Sequence, residues 1–564
     1  MTEESPKPAE QPDESSQTPA GRPAEQPAEP KQPAQTPAPQ PRKFVMPGDV
    51  YIRPGIDDRP DPDKVLSAED KAAIARLAVR MPQQKNETSL SQADLQATRM
   101  ATEGTPAVAA ATIDAAVPDP ESAYMDMRDP MVAADGTRPD KADVLRLKIG
   151  FVVAALMCSV PWAAATGIFL PELLARMNGG LPAFAVLCLL NALGAIVAFF
   201  SQNFFAAASD DTRSRFGRRT IWIIAGGLLT GLVMWWMSAL GGDAIHLASH
   251  FVMIVWLVAQ LCYGLMLGPL VSAMSDRMPD KFRPSADAWY GTALAVGQML
   301  GGFAGALFVA NLPKGFTWGA AVLALAGIVT VAVWPREKSS LEMRLPGNTM
   351  DDAFASLRLG QMAPGFRRVF WSRMFMMASV ASITMVAFYL VKYGVYAMFS
   401  LSGVFTSMPA SVPSAMLVAW MGLIAMIVSL LAAWLSGPIS DRFGAWGPSL
   451  AAAGCVALGA LMPILMPATA LGLLLFSAFS GFGFGLFNAV GQELATAVLT
   501  DPRDAGHALG TLNLASTLGV VLAAVVTGIA TTVGGWAWLF AGSIVMAAAA
   551  AGFVASVRGV IADR

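Results

Sequence analysis

Ala206-Ala-Ala-Ser-Asp-Asp-Thr-Arg-Ser-Arg-Phe-Gly-Arg-Arg219 packs four arginines and two aspartates into fourteen residues between two long apolar runs. A hydrocarbon core about 30 Å thick takes roughly 20 apolar residues to cross as a helix, so the charged stretch reads as a loop at a membrane surface. The same ruler, moved outward, gives about twelve spans. Six lie near 147–171, 182–206, 220–240, 250–274, 287–310 and 316–334. After a polar break from Pro335 to Arg368, six more lie near 371–397, 413–436, 447–466, 469–497, 508–530 and 535–557. Composition agrees. The chain is 54% hydrophobic and 14% charged, against about 25% charged in a soluble domain, too little polar surface to cover itself in water.

The first part of the sequence is different. Pro-Ala-Glu-Gln-Pro occurs at Pro8–Pro12 and again at Pro23–Pro27 among further Pro, Gln and Ala. Such a composition cannot bury a core, so residues 1–140 are expected to form a long disordered tail. Within it, the Ser67 opening and the stretch Leu90–Met100 are expected to form only transient helices. The opening Met-Thr-Glu-Glu-Ser-Pro is acidic and has no apolar run, so no secretory signal is expected and the first span should stay uncleaved. The four cysteines, Cys158, Cys188, Cys262 and Cys455, all sit in apolar segments without metal-ligand spacing and read as packing residues.

Orientation follows from the basic residues. One set of loops holds Arg213, Arg215, Arg218, Arg219, Arg277, Lys281, Arg283, Arg336, Lys338, Arg344, Arg358, Arg367, Arg368, Arg442, Arg503 and Arg558; the alternate loops hold little beyond Arg176 and Lys314. The positive-inside rule puts the first set and both termini in the cytoplasm, in a plasma-membrane protein with an even number of spans. The halves also repeat. Ser209–Gly217 matches Ser440-Asp-Arg-Phe-Gly444, and Arg283–Gly291 matches Arg503–Gly510, each offset by about 220 to 230 residues. The expected fold is an all-α membrane protein of two six-helix halves. Its parts are the tail 1–140, a bundle over 141–335, a cytoplasmic loop over 336–368, a second bundle over 369–557 and a short cytoplasmic end over 558–564.

At these residues the chain resembles the major facilitator superfamily, whose signature between the second and third spans is roughly G-x-x-x-D-R-x-G-R-R. The longer form found here is similar to that of the glycoside–pentoside–hexuronide and sucrose-type carriers. Leu170-Pro-Glu172 and Gly510-Thr-Leu-Asn-Leu-Ala515 add to that likeness. The resemblance implies a cytoplasmic gating motif at Asp210, Arg213, Arg215, Gly217, Arg218, Arg219 and Asp276, with Asp441, Arg442 and Gly444 as its counterpart. It also implies contacts that latch the two halves in the outward-facing state. The sequence departs from the pattern at Asp211, where Arg is usual, at Thr220-Ile221 in place of Arg-Pro, and at Ala445-Trp446, where basic residues are common. The carriers of this type that bind a cation through acidic residues in the second and fourth spans have no match here, which argues against sodium coupling by that route.

Ionisable groups inside spans are costly and are functional suspects. Glu493, beside Gln492, is the leading coupling or substrate-contacting carboxylate, the alternative being a structural pair with a loop arginine such as Arg503. Glu172 and Lys392, near span ends, read as side chains snorkelling to the interface. Asn191, Gln260, Tyr263, Gln298, Tyr389, Asn488 and Asn513 complete the set of candidates for recognising a hydroxyl-rich solute, with Trp235, Trp236, Trp256 and Trp289 as stacking surface. Each taken singly reads first as an interhelical hydrogen bond or interfacial anchor and only second as a ligand contact. Gly297, Gly301 and Gly305, like Gly481 and Gly485, form small-residue faces for close helix packing. Asp243, His246 and His250 share a face without a third strong ligand, so no metal is expected. No cofactor is expected, and no nucleotide loop, catalytic triad or nucleic-acid motif occurs. The reading is a proton-coupled secondary transporter of a small polar solute such as a sugar, not an enzyme, embedded in the bilayer. An efflux carrier of the same fold, or a membrane sensor or scaffold whose Pro-rich tail binds a protein partner, is the alternative.

Overall fold

The computed structural model describes residues 131–177, 183–240, 249–341, 363–393, 411–467, 469–498 and 505–562. The expected tail before residue 131, its short helices, most of the middle loop, Asp243, His246 and Arg503 lie outside the described residues. Twelve helices are long and apolar enough to cross a membrane. They are α1 (Lys141–Arg176), α2 (Ala183–Asp210), α3 (Thr220–Leu240), α4 (Ser249–Arg277), α5 (Arg283–Phe308), α6 (Leu312–Val333), α7 (Pro364–Tyr393), α8 (Ser411–Phe443), α9 (Trp446–Leu465), α10 (Ala470–Ala497), α11 (Ala505–Gly534) and α12 (Trp536–Ala562). Several begin earlier than hydropathy alone marks. α7 starts at Pro364 and takes in Arg367 and Arg368, since backbone hydrogen bonding continues past the apolar window and Pro suits a first turn.

Packing repeats with the sequence. α1 packs on α5 and α6, α2 on α4, and α3 on α4 and α6; in the second half α7 packs on α11 and α12, α8 on α10, and α9 on α10 and α12. Adding six to each number converts one set into the other. The halves meet through α2 with α11 and α5 with α8, a pair of contacts related by the same rule.

Glycines set how closely these helices approach. A Cβ at Gly226 of α3 would lie 2.5 Å from the Met266 backbone nitrogen of α4, and one at Gly301 of α5 would lie 2.6 Å from Val160 O of α1. Gly297 and Gly305 meet Ser159 and Ile168 of α1, while Gly481 and Gly485 meet Ala425 and Ser429 of α8. These faces serve packing inside each half. Gly302, one residue off the stripe, instead faces Ala419 of α8 across the halves. The four cysteines are free thiols within helices, Cys158 and Cys188 buried.

α1 and α7 are both irregular at the end away from the arginine-rich loops, here termed the far side. α1 has a π-helical turn over Ala165–Phe169, succeeded by Leu170–Arg176. α7 breaks between Thr384 and Ala387. A π turn shifts the helical register by a residue and so re-aims the side chains of the last turns.

Candidate functional site

The charged loop between α2 and α3 folds into a network within the first half. Arg219, 3% exposed, donates from Nε to Asp276 Oδ2 at 2.9 Å and from Nη1 to Ala206 O at 2.7 Å, and it also pairs with Asp210 and Ser209. Arg218 reaches Asp276 at 2.7 Å and Asp210 at 3.3 Å. Two carboxylates from α2 and α4 thus hold two guanidinium groups at the start of α3, an arrangement that satisfies buried charge from both sides. Arg213 and Arg215 are exposed and stand outside this network.

Glu337, which sequence reasoning did not single out, completes it. Its Oε1 accepts from the backbone N–H of Arg218 at 3.1 Å and Arg219 at 3.2 Å, and its Oε2 accepts from Thr220 N at 3.1 Å and Thr220 Oγ1 at 2.8 Å. A remote carboxylate therefore caps the N-terminus of α3, where unpaired N–H groups and the helix dipole favour negative charge. Gly217 has φ 95°, and a Cβ there would collide with Glu337 at 2.2 Å. Ser340 binds the same loop through Ser214 N at 2.9 Å, so the strand of chain after α6 is sewn beneath it. Among the described residues these contacts lie inside one half. The counterpart Gly444 also has positive φ, at 68°. Asp441 and Arg442 beside it are exposed; the Arg442 guanidinium lies over the Phe443 ring, and among the described residues neither makes an ion pair.

The polar candidates are spread over both halves. On α2 and α4, Asn191 donates to Leu187 O at 2.9 Å, and Gln260 lies against Gly194. Tyr263 is buried and stacks on Trp162 with ring centroids 3.9 Å apart, and Trp162 stacks in turn on Trp256 at 5.4 Å. Trp162, the middle ring, is a member that sequence reasoning missed. Trp235, Trp236 and Trp289 are exposed and join no such stack among the described residues. Gln298 is exposed on α5.

In the second half, Asn488 is half-buried on α10 and Asn513 exposed on α11, and Glu493 is exposed near the end of α10. Gln492 lies in the same helix, its side chain outside the described residues. Near Asn488 and Asn513 in sequence lie the contacts of a residue that sequence reasoning passed over. Arg373 of α7 is half-buried and donates from Nε to Ser516 Oγ of α11 at 3.0 Å. A basic residue inside an apolar run, between Trp371 and Met374, was the available signal.

At the far side the halves are bound together. Glu172 at the end of α1 is 2% exposed and accepts from Lys392 Nζ, and from Tyr393 Oη at 3.1 Å, both on α7. Arg176 Nε also donates to it at 2.8 Å. The expectation that Glu172 and Lys392 snorkel separately to the interface is corrected: the π turn and Pro171 bring the carboxylate into the seam between the halves. Phe184 of α2 packs there against Tyr389 at 5.3 Å and Trp536 at 5.4 Å, and Phe303 of α5 meets Trp420 of α8 at 5.8 Å. Toward the arginine-rich side α5 and α8 show no such aromatic contact among the described residues. Gly291 of α5 and Gly437 of α8 face open space, and Leu431 and Phe443 are exposed.

No curated protein matches the sequence. Among solved structures, the nucleoside transporter NupG superposes with a TM-score of 0.53 at 14% identity, covering 73% of this chain and 98% of its own. A D-xylose-proton symporter gives 0.52 at 16% identity, covering 73% and 97%. The peptide transporter POT in complex with sulfate gives 0.57 at 14%, covering 77% and 98%. At these identities the likeness concerns the fold. The sequence model for the Major Facilitator Superfamily matches residues 149–495 and 413–560. With twelve apolar spans, two repeated bundles and the charged loop between α2 and α3, this multi-pass membrane protein belongs to the Major Facilitator Superfamily.

Proposed function

We propose that the protein is a secondary transporter that moves a small, hydroxyl-rich polar solute across the plasma membrane by alternating access, coupled to protons. The observation that carries this reading is the asymmetry of the seam. The halves are joined at the far side through Glu172, Lys392 and Tyr393, while toward the arginine-rich side a Cβ at Gly291 of α5 or Gly437 of α8 would meet nothing within 4 Å. A closed end and an open end are what one extreme of a rocking cycle requires. With the positive-inside rule the open end is cytoplasmic, and the conformation is inward-open. The half-buried ring of Trp162, backed by the buried rings of Tyr263 and Trp256 and accompanied by Gln260 and Asn191 on α4 and α2, supports a solute bearing hydroxyls on an apolar face. The fold is shared with carriers of nucleosides, D-xylose and peptides, which supports transport without choosing among those solutes.

Glu493 is the proposed coupling carboxylate. Proteoliposomes holding the purified protein should accumulate a labelled solute from a sugar panel only when a proton gradient is imposed. Glu493→Gln should abolish that accumulation and leave solute exchange intact. Accumulation unchanged in the variant would remove Glu493 from coupling, and no gradient-dependent movement of any panel member would refute the transport reading.

A further inference from the structure

Arg373 is a positive charge about two and a half turns inside α7, where a bare ion is expensive. Its one described hydrogen bond is to a neutral hydroxyl, Ser516 Oγ on α11 at 3.0 Å. Its Nη1 points toward α10, 3.9 Å from where a Cβ at Gly491 would sit. Among the described residues no carboxylate forms an ion pair with it. Glu493, two positions beyond Gly491, lies on another face of α10, since two residues turn a helix through about 200°.

The surroundings suit an anion. Asn488 stands one turn from Gly491 on α10, and Asn513 one turn from Ser516 on α11. Neither amide makes a hydrogen bond within the described residues, so both keep donors to offer. Neighbouring residues on α7 fix the location relative to the other half. Phe370 and Met374 cluster with Phe199 of α2 and with Leu514 of α11, which sets the guanidinium beside the seam between the bundles.

We infer that Arg373, Ser516, Asn488 and Asn513 form a binding site for a carboxylate group of the transported solute. This deepens the transporter reading and rests on it. One guanidinium matches one carboxylate in charge and in planar, bidentate geometry, and the flanking hydroxyl and amides can satisfy the remaining lone pairs. A phosphate dianion would leave a charge uncompensated in the span, because no second cation is described beside Arg373. A bound carboxylate would form an ion pair with Arg373, so the loaded site would carry less net charge through the rocking step.

The test uses the full chain purified in detergent, with binding read as thermal stabilisation against two matched sets: glycerol, glycerate and glycerol 3-phosphate; glucose, gluconate and glucose 6-phosphate. At least one carboxylate should stabilise the protein in preference to its neutral and phosphorylated partners. Arg373→Gln should weaken that binding about 10- to 100-fold, the range for losing a charged hydrogen-bonded contact, and Arg373→Lys less. Ser516→Ala, which keeps the charge, should weaken it only a few-fold and guards against a variant that merely fails to fold. Preference for the neutral or phosphorylated member, no carboxylate binding at all, or equal affinity in wild type and Arg373→Gln would each overturn the inference. Proteoliposome uptake separates the two readings. Gradient-driven uptake of a neutral solute that Arg373→Gln leaves unchanged would keep the transporter and sink the site. Carboxylate binding that depends on Arg373, without transport, would keep the site and sink the transporter.

Discussion

The far-side ion pair makes a quantitative claim about the conformational cycle. Glu172 and Lys392 belong to different halves, so their contact exists only while the far side is closed, and its free energy enters the equilibrium between end states in full. Two unit charges 4 Å apart attract by about 4 kcal/mol at an effective dielectric constant of about 20. Glu172 is 2% exposed and the Lys392 side chain 15%, so desolvation offsets part of this, which we take as about half. About 2 kcal/mol remains, a factor of about thirty in an equilibrium constant. Glu172→Gln keeps the shape and the Tyr393 contact while removing the charge, and it leaves Lys392 and Arg176 with no anion between them. The closed state should lose about thirtyfold in population relative to the far-side-open state. Spin labels at His250→Cys and Leu465→Cys, both exposed at the far ends of α4 and α9 in opposite halves, should report a longer distance component in the variant, in a background without the native cysteines. Lys392→Met should do the same, and the double variant should fall well short of the sum, because the two substitutions remove one shared interaction. An unchanged distance distribution in Glu172→Gln, or strict additivity in the pair, would refute the view that this contact closes the far side.

Removing the cap of α3 by Glu337→Ala should lower stability by about 1 to 2 kcal/mol, seen as a fall in Tm; an unaltered Tm would show that water replaces the carboxylate at no cost. Gly226→Ala places a Cβ 2.5 Å from Met266 N and should cost about 1 to 3 kcal/mol by forcing α3 from α4. Gly454→Ala, whose Cβ would meet open space, should be neutral or stabilising by up to about 1 kcal/mol, and equal losses at the two positions would contradict the packing argument.

Features that depend on neighbours along the chain could be read in the sequence. Hydropathy is a property of a window, so twelve spans and their basic loops were visible, as was the repeat of Ser209–Gly217 in Ser440–Gly444. Asp276 as the partner of the loop arginines was also legible, because acidic residues at that level are few. The tertiary structure decided the rest. Glu172 and Lys392 are 220 residues apart, and only the docking of the two bundles turns a pair of span-end charges into a buried bridge. Glu337 caps α3 from 117 to 119 positions away, so no capping pattern around Thr220 could announce it. Arg373 was overlooked because a single charge inside an apolar run says nothing of its surroundings until α10 and α11 are set against α7. The sequence determined how many helices cross the membrane and which ends carry positive charge, since a bilayer reads each segment's own polarity. Only the packed structure decided which charges are paired, because pairing depends on distances across helices that the order of residues does not contain.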